Sequence, residues 1–133
     1  MSAASANILL VEDDASVRLA FRVRLTAHGY HVDAAPDGET ARQHLSANIP
    51  DLVVLDLGLP DCSGTELLRL VRDNPKTSDT PVVIVSGRDM AHESAGLLKQ
   101  GATACLQKPG SGRQFIELVQ ELLKSGHQQQ TEN

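Results

Sequence analysis

The sequence predicts an α/β domain of the doubly wound (βα)5 class, in which helices cover both faces of a parallel five-stranded sheet. Three observations favour this class. Short apolar runs bounded by turn residues recur along the chain, as expected of strands that are buried on both faces. Segments with helical periodicity separate these runs. Polar or charged side chains directly follow most of the runs, which places chemistry at the strand ends.

The first, third and fourth predicted strands are apolar runs of four residues. The first ends abruptly in Glu12, Asp13 and Asp14, and the central one runs directly into Asp56 and a Gly/Pro turn. Pro81 opens the fourth strand, and a proline there disfavours helix in the residue before it. The predicted strands cover residues 8–11, 30–34, 52–55, 82–85 and 104–107.

Helical patterns fill the intervals between the strands. In the first helix Val17, Phe21 and Leu25 recur every fourth residue, and the helix ends at Gly29. Either Asp13 or Asp14 serves as its N-cap. The pattern is weakest in the second helix. The later helices are predicted at residues 39–47, 65–73, 91–100 and 113–124.

The length of 133 residues indicates one domain, predicted at residues 1–126 with its core at about 7–124, followed by a polar, disordered tail at 127–133. Five strand–helix units fit the flavodoxin-like strand order 2-1-3-4-5. The longest apolar runs are far too short to cross a bilayer, and the first residues lack a signal-peptide pattern, so we expect a cytoplasmic protein.

Composition narrows the function classes. A formal net charge of −5 and an aromatic content of 2% disfavour a nucleic-acid surface, which requires clustered cations and stacking rings. The two cysteines, Cys62 and Cys105, have neither a disulfide framework nor zinc-ligand spacing. The five histidines likewise lack metal-ligand spacing.

Polar groups at four strand ends form the candidate site. Because the carboxyl ends of parallel strands meet at one edge of the sheet, we expect these side chains to converge there. Clustered carboxylates repel one another unless a cation lies between them, and Mg²⁺ is the natural candidate for oxygen ligands. The converging residues are Glu12, Asp13, Asp56, Ser86 and Lys108.

This arrangement predicts phosphate chemistry. The carboxylate of Asp56 can attack phosphorus and form an acyl phosphate. The metal and Lys108 neutralise the phosphoryl oxygens, and the hydroxyl of Ser86 donates a hydrogen bond to one of them. Gly58 offers its backbone carbonyl as a further metal ligand.

Simpler explanations exist for each residue taken alone. Acids are favoured at a helix N-terminus, so Glu12, Asp13 and Asp14 could be capping residues. Ser86 could cap a helix, and Lys108 could be a solvated surface lysine. For Arg18, Arg22 and Arg24 on the first helix, a solvated face is the default interpretation, although a kinase-docking surface is an alternative.

Four segments together resemble a response-regulator receiver domain of two-component signalling, in its chemotaxis-regulator-like form. They are ILLVEDD, DLVVLDLGLPDCSG, PVVIVSGRD and LQKP, in the order and spacing of the family. The resemblance covers about residues 7–124. It implies that Asp56 is both the phospho-acceptor and a Mg²⁺ ligand, Asp13 a direct Mg²⁺ ligand, Glu12 a ligand through water and the Gly58 carbonyl a further ligand. It also implies that Ser86 is the switch hydroxyl and Lys108 the phosphate-binding amine.

The chain departs from the family pattern in its fifth strand. Cys105 stands where an aromatic residue is usual, and Thr103-Ala104 replaces the acidic pair that is common in winged-helix transcription regulators. The resemblance implies that partners contact the face formed by helix 4, strand 5 and helix 5. The departures put a charge-paired dimer through that face in doubt.

The leading hypothesis is a signalling switch rather than an enzyme, with only self-catalysed phosphotransfer and autodephosphorylation. A histidine kinase or histidine phosphotransfer protein is the expected donor, and a downstream protein or an effector domain is the expected output, without direct contact to nucleic acid or membrane. The chain is either a stand-alone receiver or one domain of a larger regulator. The alternatives are a degenerate receiver that only binds partners and an aspartyl-phosphate phosphohydrolase, which Gly58 disfavours because such enzymes carry an acid there.

Overall fold

The computed structural model describes residues 6–87, 92–107 and 112–132, with side chains as far as residue 124. Within these ranges strands and helices alternate, and the sheet is parallel throughout with the order β2-β1-β3-β4-β5. The predicted class and strand order are confirmed. The elements are β1 (Asn7–Val11), α1 (Ala15–Ala27), β2 (His31–Ala35), α2 (Gly38–Ala47), β3 (Leu52–Asp56), α3 (Gly64–Asp73), β4 (Val82–Ser86), α4 (Ser94–Lys99), β5 (Ala104–Gln107) and α5 (Gly112–Glu132).

Alternation along the strands divides the core into two layers. On β1, Leu9 and Val11 face the layer that contains Leu67 and Leu68 of α3, together with residues of α2 and α4. Ile8 and Leu10 face the opposite layer, which contains residues of α1 and α5. β3 and β4 are buried along their whole length, which explains why their sequences are nearly uninterrupted apolar runs.

Local sequence sets the helix ends. The Asp14 carboxylate accepts hydrogen bonds from the N–H groups of Ser16 and Val17, at 2.9 and 3.0 Å, so Asp14 rather than Asp13 caps α1. Gly29, after the end of this helix, has the positive φ of 91° that glycine readily adopts. At α3, Ser63 and Glu66 form a reciprocal capping box.

Two helices, α4 and α5, differ from their predicted lengths by more than one residue. α4 begins at Ser94 instead of residue 91: Glu93 at its N-cap makes no capping hydrogen bond, and Gly96 lowers helix propensity. Residues 88–91 lie outside the described ranges. α5 continues to Glu132, beyond the predicted end at residue 124. The division into a domain of residues 1–126 and a tail of residues 127–133 stays a prediction.

Across the described ranges, no helix combines the length and the apolar character that crossing a bilayer requires.

Candidate functional site

The parallel register brings the ends of three strands together. Val11 on β1 pairs with Leu55 on β3, so Glu12 and Asp56 follow at neighbouring positions. Asp56 pairs in turn with Val85 on β4, and Ser86 is the next residue. The sheet order reverses direction between β1 and β3, which is where an open α/β sheet forms its ligand-binding crevice.

Three carboxylates cluster at this crevice. One oxygen from each of Glu12, Asp13 and Asp56 lies within 4.8 Å of the other two. Glu12 and Asp56 are buried, with 1% and 7% of their surface exposed, whereas Asp13 is exposed. The structure thus assembles an acid triad with one open side, facing solvent at Asp13.

The donor set of this triad fits Mg²⁺. The ion is held by hard oxygen ligands at about 2.0–2.1 Å, so ligands on opposite sides of it are about 4 Å apart. Carboxylate oxygens within 4.8 Å of one another can reach such positions through a small side-chain movement or through one bridging water. Of the two acids that follow β1, Glu12 is the buried one, and it is the residue predicted to hold the ion through water.

Hydrogen bonds order the turn that carries Glu12 and Asp13. The N–H of Glu12 donates to the carbonyl of Ala35 on β2 at 3.0 Å, and the N–H of Asp14 donates to the Glu12 carboxylate at 3.2 Å. Arg18 Nη1 donates to the carbonyls of Glu12 and Asp13, at 2.9 and 3.3 Å. The default expectation of a solvated Arg18 is wrong, since this side chain is half-buried and bonded to the turn.

Of the other predicted site residues, the structure describes Ser86 and Gly58 but not Lys108. Ser86 ends β4 and is 4% exposed. It pairs with Gln107 on β5, the residue that precedes Lys108, but Lys108 itself lies outside the described ranges. Gly58 is exposed two residues after Asp56 and forms a bridge with Ser63. The roles of these residues in phosphate or metal binding stay predictions.

Three glycines follow the ends of β3 and β4 and differ in the space around them. No atom lies within 4 Å of the position that a Cβ would occupy at Gly58 or at Gly87. At Gly64 the same position is 2.8 Å from the carbonyl oxygen of Asp56 and 2.9 Å from the Cα of Leu57. The loop after β3 folds back so closely that only glycine fits at residue 64, and sequence reasoning did not identify this contact.

Asp61 links the same loop to α2. Its carboxylate accepts hydrogen bonds from the N–H groups of Gly38 and Glu39, at 2.8 and 3.0 Å, at the N-terminus of that helix. The Gly38 hydrogen bond is the main cause that lowers the pKa of Asp61. An acid in a turn gives no sequence signal for a partner helix 22 or 23 residues away. This contact was therefore missed.

The Asp61 contact predicts a pH dependence of stability. A carboxyl whose pKa is lower in the folded protein stabilises it above the unfolded pKa of about 3.9, and that contribution disappears as the pH falls through the folded value. We expect Asp61→Ala to be less stable than the wild type at pH 6, with the difference shrinking below pH 4. Urea unfolding across that range checks this. A difference independent of pH would assign the loss to packing.

The two cysteines are separate free thiols, as predicted. Burial is the main cause that raises the pKa of both Cys62 and Cys105, so neither has the low pKa of a reactive thiol. Cys105, at the usual aromatic position, is half-buried and packs against the core. Beside it the Thr103 hydroxyl accepts hydrogen bonds from the Val82 N–H at 2.9 Å and from Arg72 at 3.5 Å.

Known proteins share both the sequence and the fold. A family model for the response regulator receiver domain matches residues 8–120. The transcriptional regulatory protein AfsQ1 of Streptomyces coelicolor is 32% identical over 127 residues, covering 96% of this chain and 55% of AfsQ1. The phosphate regulon transcriptional regulatory protein PhoB of Rhizobium meliloti is 33% identical, covering 88% of this chain and 52% of PhoB.

Solved receiver structures superpose along nearly their whole length. The chemotaxis response regulator CheY4 of Vibrio cholerae has a TM-score of 0.83 at 25% identity, covering 89% of this chain and 98% of CheY4. A CheY-like receiver domain protein of Methanospirillum hungatei has a TM-score of 0.87 at 26% identity, covering 94% of this chain and 98% of that protein. These proteins are similar to this chain in both length and fold.

The chain spans about half the length of the curated relatives it matches. Because those relatives are named as transcriptional regulators, the expectation of no direct nucleic-acid contact is not supported beyond this domain.

Proposed function

This chain belongs to the response-regulator receiver family, and from that membership we propose that Asp56 accepts a phosphoryl group in a Mg²⁺-dependent reaction and thereby switches partner binding. The observation that carries the proposal is the acid triad. Glu12, Asp13 and Asp56 come from two strands and have carboxylate oxygens within 4.8 Å of one another. Such clustering of like charges is costly in a fold without a cationic ligand.

In the proposed reaction a carboxylate oxygen of Asp56 forms a new P–O bond. The bond from phosphorus to the donor breaks, and its electron pair leaves with the donor's imidazole nitrogen or acyl oxygen. When bound, Mg²⁺ would neutralise charge on the phosphoryl oxygens. Asp13 would hold the ion directly, Glu12 would hold it through water, and Asp56 and the Gly58 carbonyl would supply further ligands.

Ser86 and Lys108 complete the proposed site. The buried hydroxyl of Ser86, next to Asp56 in the register, donates a hydrogen bond to one phosphoryl oxygen. Lys108 follows Gln107, the β-sheet partner of Ser86, and pairs its ammonium with another phosphoryl oxygen. Turnover is confined to self-catalysed phosphotransfer and autodephosphorylation, as befits a switch rather than an enzyme. The cytoplasmic location stays a prediction.

The proposed donor is a histidine kinase or a histidine phosphotransfer protein. It must approach the acceptor, and α1 begins directly beyond the acid pair. This helix exposes an apolar pair, Leu19 and Val23, which are 61% and 57% exposed. The proposed output surface is formed by α4, β5 and α5, where Leu98 is exposed and the edge strand β5 is half-buried.

Intact-mass spectrometry tests the proposal. The protein is incubated with Mg²⁺ and acetyl phosphate, beside Asp56→Asn and a sample treated with a chelator. We expect one phosphoryl adduct on the wild type and none on either control. No adduct on the wild type would favour a degenerate receiver, and an adduct that survives in Asp56→Asn would identify a different acceptor.

A further inference from the structure

Arg18 occupies an unusual place for a charged residue of a surface helix. It is the fourth residue of α1 and is half-buried. Its Nη1 atom reaches back past the helix N-terminus and donates to two consecutive main-chain carbonyls, those of Glu12 and Asp13. The guanidinium therefore contacts the backbone of both acids of the β1 end.

Those two carbonyls lie at the junction between the hydrogen bonds of the sheet and those of α1. The Glu12 N–H still bonds to β2, at Ala35, and the first helical bond of α1 runs from the Arg18 N–H to the Asp14 carbonyl at 2.8 Å. Main-chain carbonyls at such a junction need hydrogen-bond donors from outside the strand ladder and the helix. One nitrogen of Arg18 serves both carbonyls.

The hydrogen bonds to these carbonyls also fix the peptide planes next to the Cα atoms of Glu12 and Asp13, and so the directions in which the two carboxylates extend. Mg²⁺ demands near-ideal octahedral geometry, so small rotations of these planes matter to its binding. We propose that Arg18 is a positioning residue of the metal site, which orients Glu12 and Asp13 toward Asp56 through their backbone carbonyls. This inference rests on the proposed function, since it concerns the same Mg²⁺ site.

The positive charge of Arg18 acts in the opposite direction to its hydrogen bonds. A guanidinium near the triad repels a divalent cation, so a pure charge effect predicts tighter Mg²⁺ binding when Arg18 is neutralised. A positioning effect predicts weaker binding. It does so even for Arg18→Lys, which retains the charge but has a shorter reach and lacks the planar fork. The two substitutions therefore separate the mechanisms.

Mg²⁺ affinity, measured by isothermal titration calorimetry on the full chain, tests the inference. We expect Arg18→Met and Arg18→Lys each to weaken binding about tenfold, as loss of an outer-shell contact typically does. Adduct formation with acetyl phosphate is expected to recover at high Mg²⁺ concentration. Arg22→Met and Arg22→Lys are the matched controls, because Arg22 is exposed one turn further along α1. They are expected to bind Mg²⁺ as the wild type does.

Each other outcome overturns the inference. Unchanged affinity in both Arg18 variants would assign Arg18 to a role without influence on the site, and tighter binding in Arg18→Met alone would assign it to charge. If Arg18→Met does not fold, the Arg18→Lys result decides. A wild-type protein that binds Mg²⁺ and forms the adduct leaves the proposed function intact in all these cases, whereas one that does neither overturns both.

Discussion

Asp56→Asn is expected to raise the free energy of unfolding of the metal-free protein by about 1–2 kcal/mol. Carboxylates about 5 Å apart repel by about 3 kcal/mol per pair at an effective dielectric constant of 20. The net gain in stability is smaller for two reasons. Asp13 is exposed, and the substitution also removes an interaction that the Asp56 side chain makes in the wild type. Thermal and urea unfolding in the presence of a chelator measure the change. Asp73→Asn, at the exposed end of α3, is the control and is expected to show no such gain.

With Mg²⁺ present, the wild type is expected to become more stable than Asp56→Asn. A ligand that binds only the folded state stabilises it by about 2.7 kcal/mol at a hundred times its dissociation constant. The wild type should gain this stability, while Asp56→Asn should gain less because it has lost one charged ligand. If Asp56→Asn is instead less stable than the wild type without metal, the repulsion within the triad is already compensated by other contacts.

Gly64→Ala is expected to destabilise the protein by about 1–3 kcal/mol and to slow adduct formation at Asp56. Within a helix, alanine in place of glycine normally gains up to about 1 kcal/mol. Here the new Cβ lies 2.8 Å from the Asp56 carbonyl oxygen and 2.9 Å from the Leu57 Cα, so main chain must move. Because Asp56, the proposed acceptor, is itself displaced, stability and phosphorylation should fall together in urea unfolding and intact-mass measurements.

Gly96→Ala is the matched control for this prediction. Gly96 is also helical, in α4, but nothing lies within 4 Å of its Cβ position. The substitution is expected to stabilise the protein slightly and to leave adduct formation unchanged. If Gly64→Ala were as stable as Gly96→Ala, the loop after β3 would be able to move away from the new Cβ without loss of unfolding free energy.

The sequence predicted the fold because each level of the pattern agreed. The four-residue runs that begin β3 and β4 are apolar at every position, as in parallel strands covered by helices on both faces, and both strands are fully buried. Glu12, Asp13 and Asp56 could be brought together in prediction because the topology alone decides which strand ends are neighbours. Neither inference needed side-chain detail.

The missed features depend on distances that periodicity does not encode. Arg18 lies on α1 in a pattern typical of a solvated face, but its long side chain reaches the preceding turn. Asp61 and Gly64 act through close approaches set by the path of one loop. The length of α4 was overestimated because a polar segment with weak caps gives little sign of where a helix begins.

The pairing of β1 with β3 also determines when, during folding, the proposed acceptor site forms. Asp13 and Asp56 are separated by 43 residues (56 − 13) and meet only after the chain has passed through β2 at the sheet's outer side. Non-local pairing of this kind forms late and cooperatively, because closure of the intervening chain must precede the contacts that reward it. A nascent or misfolded chain therefore has an aspartate but no assembled site. A phosphodonor that needs the assembled triad modifies only molecules that have completed folding.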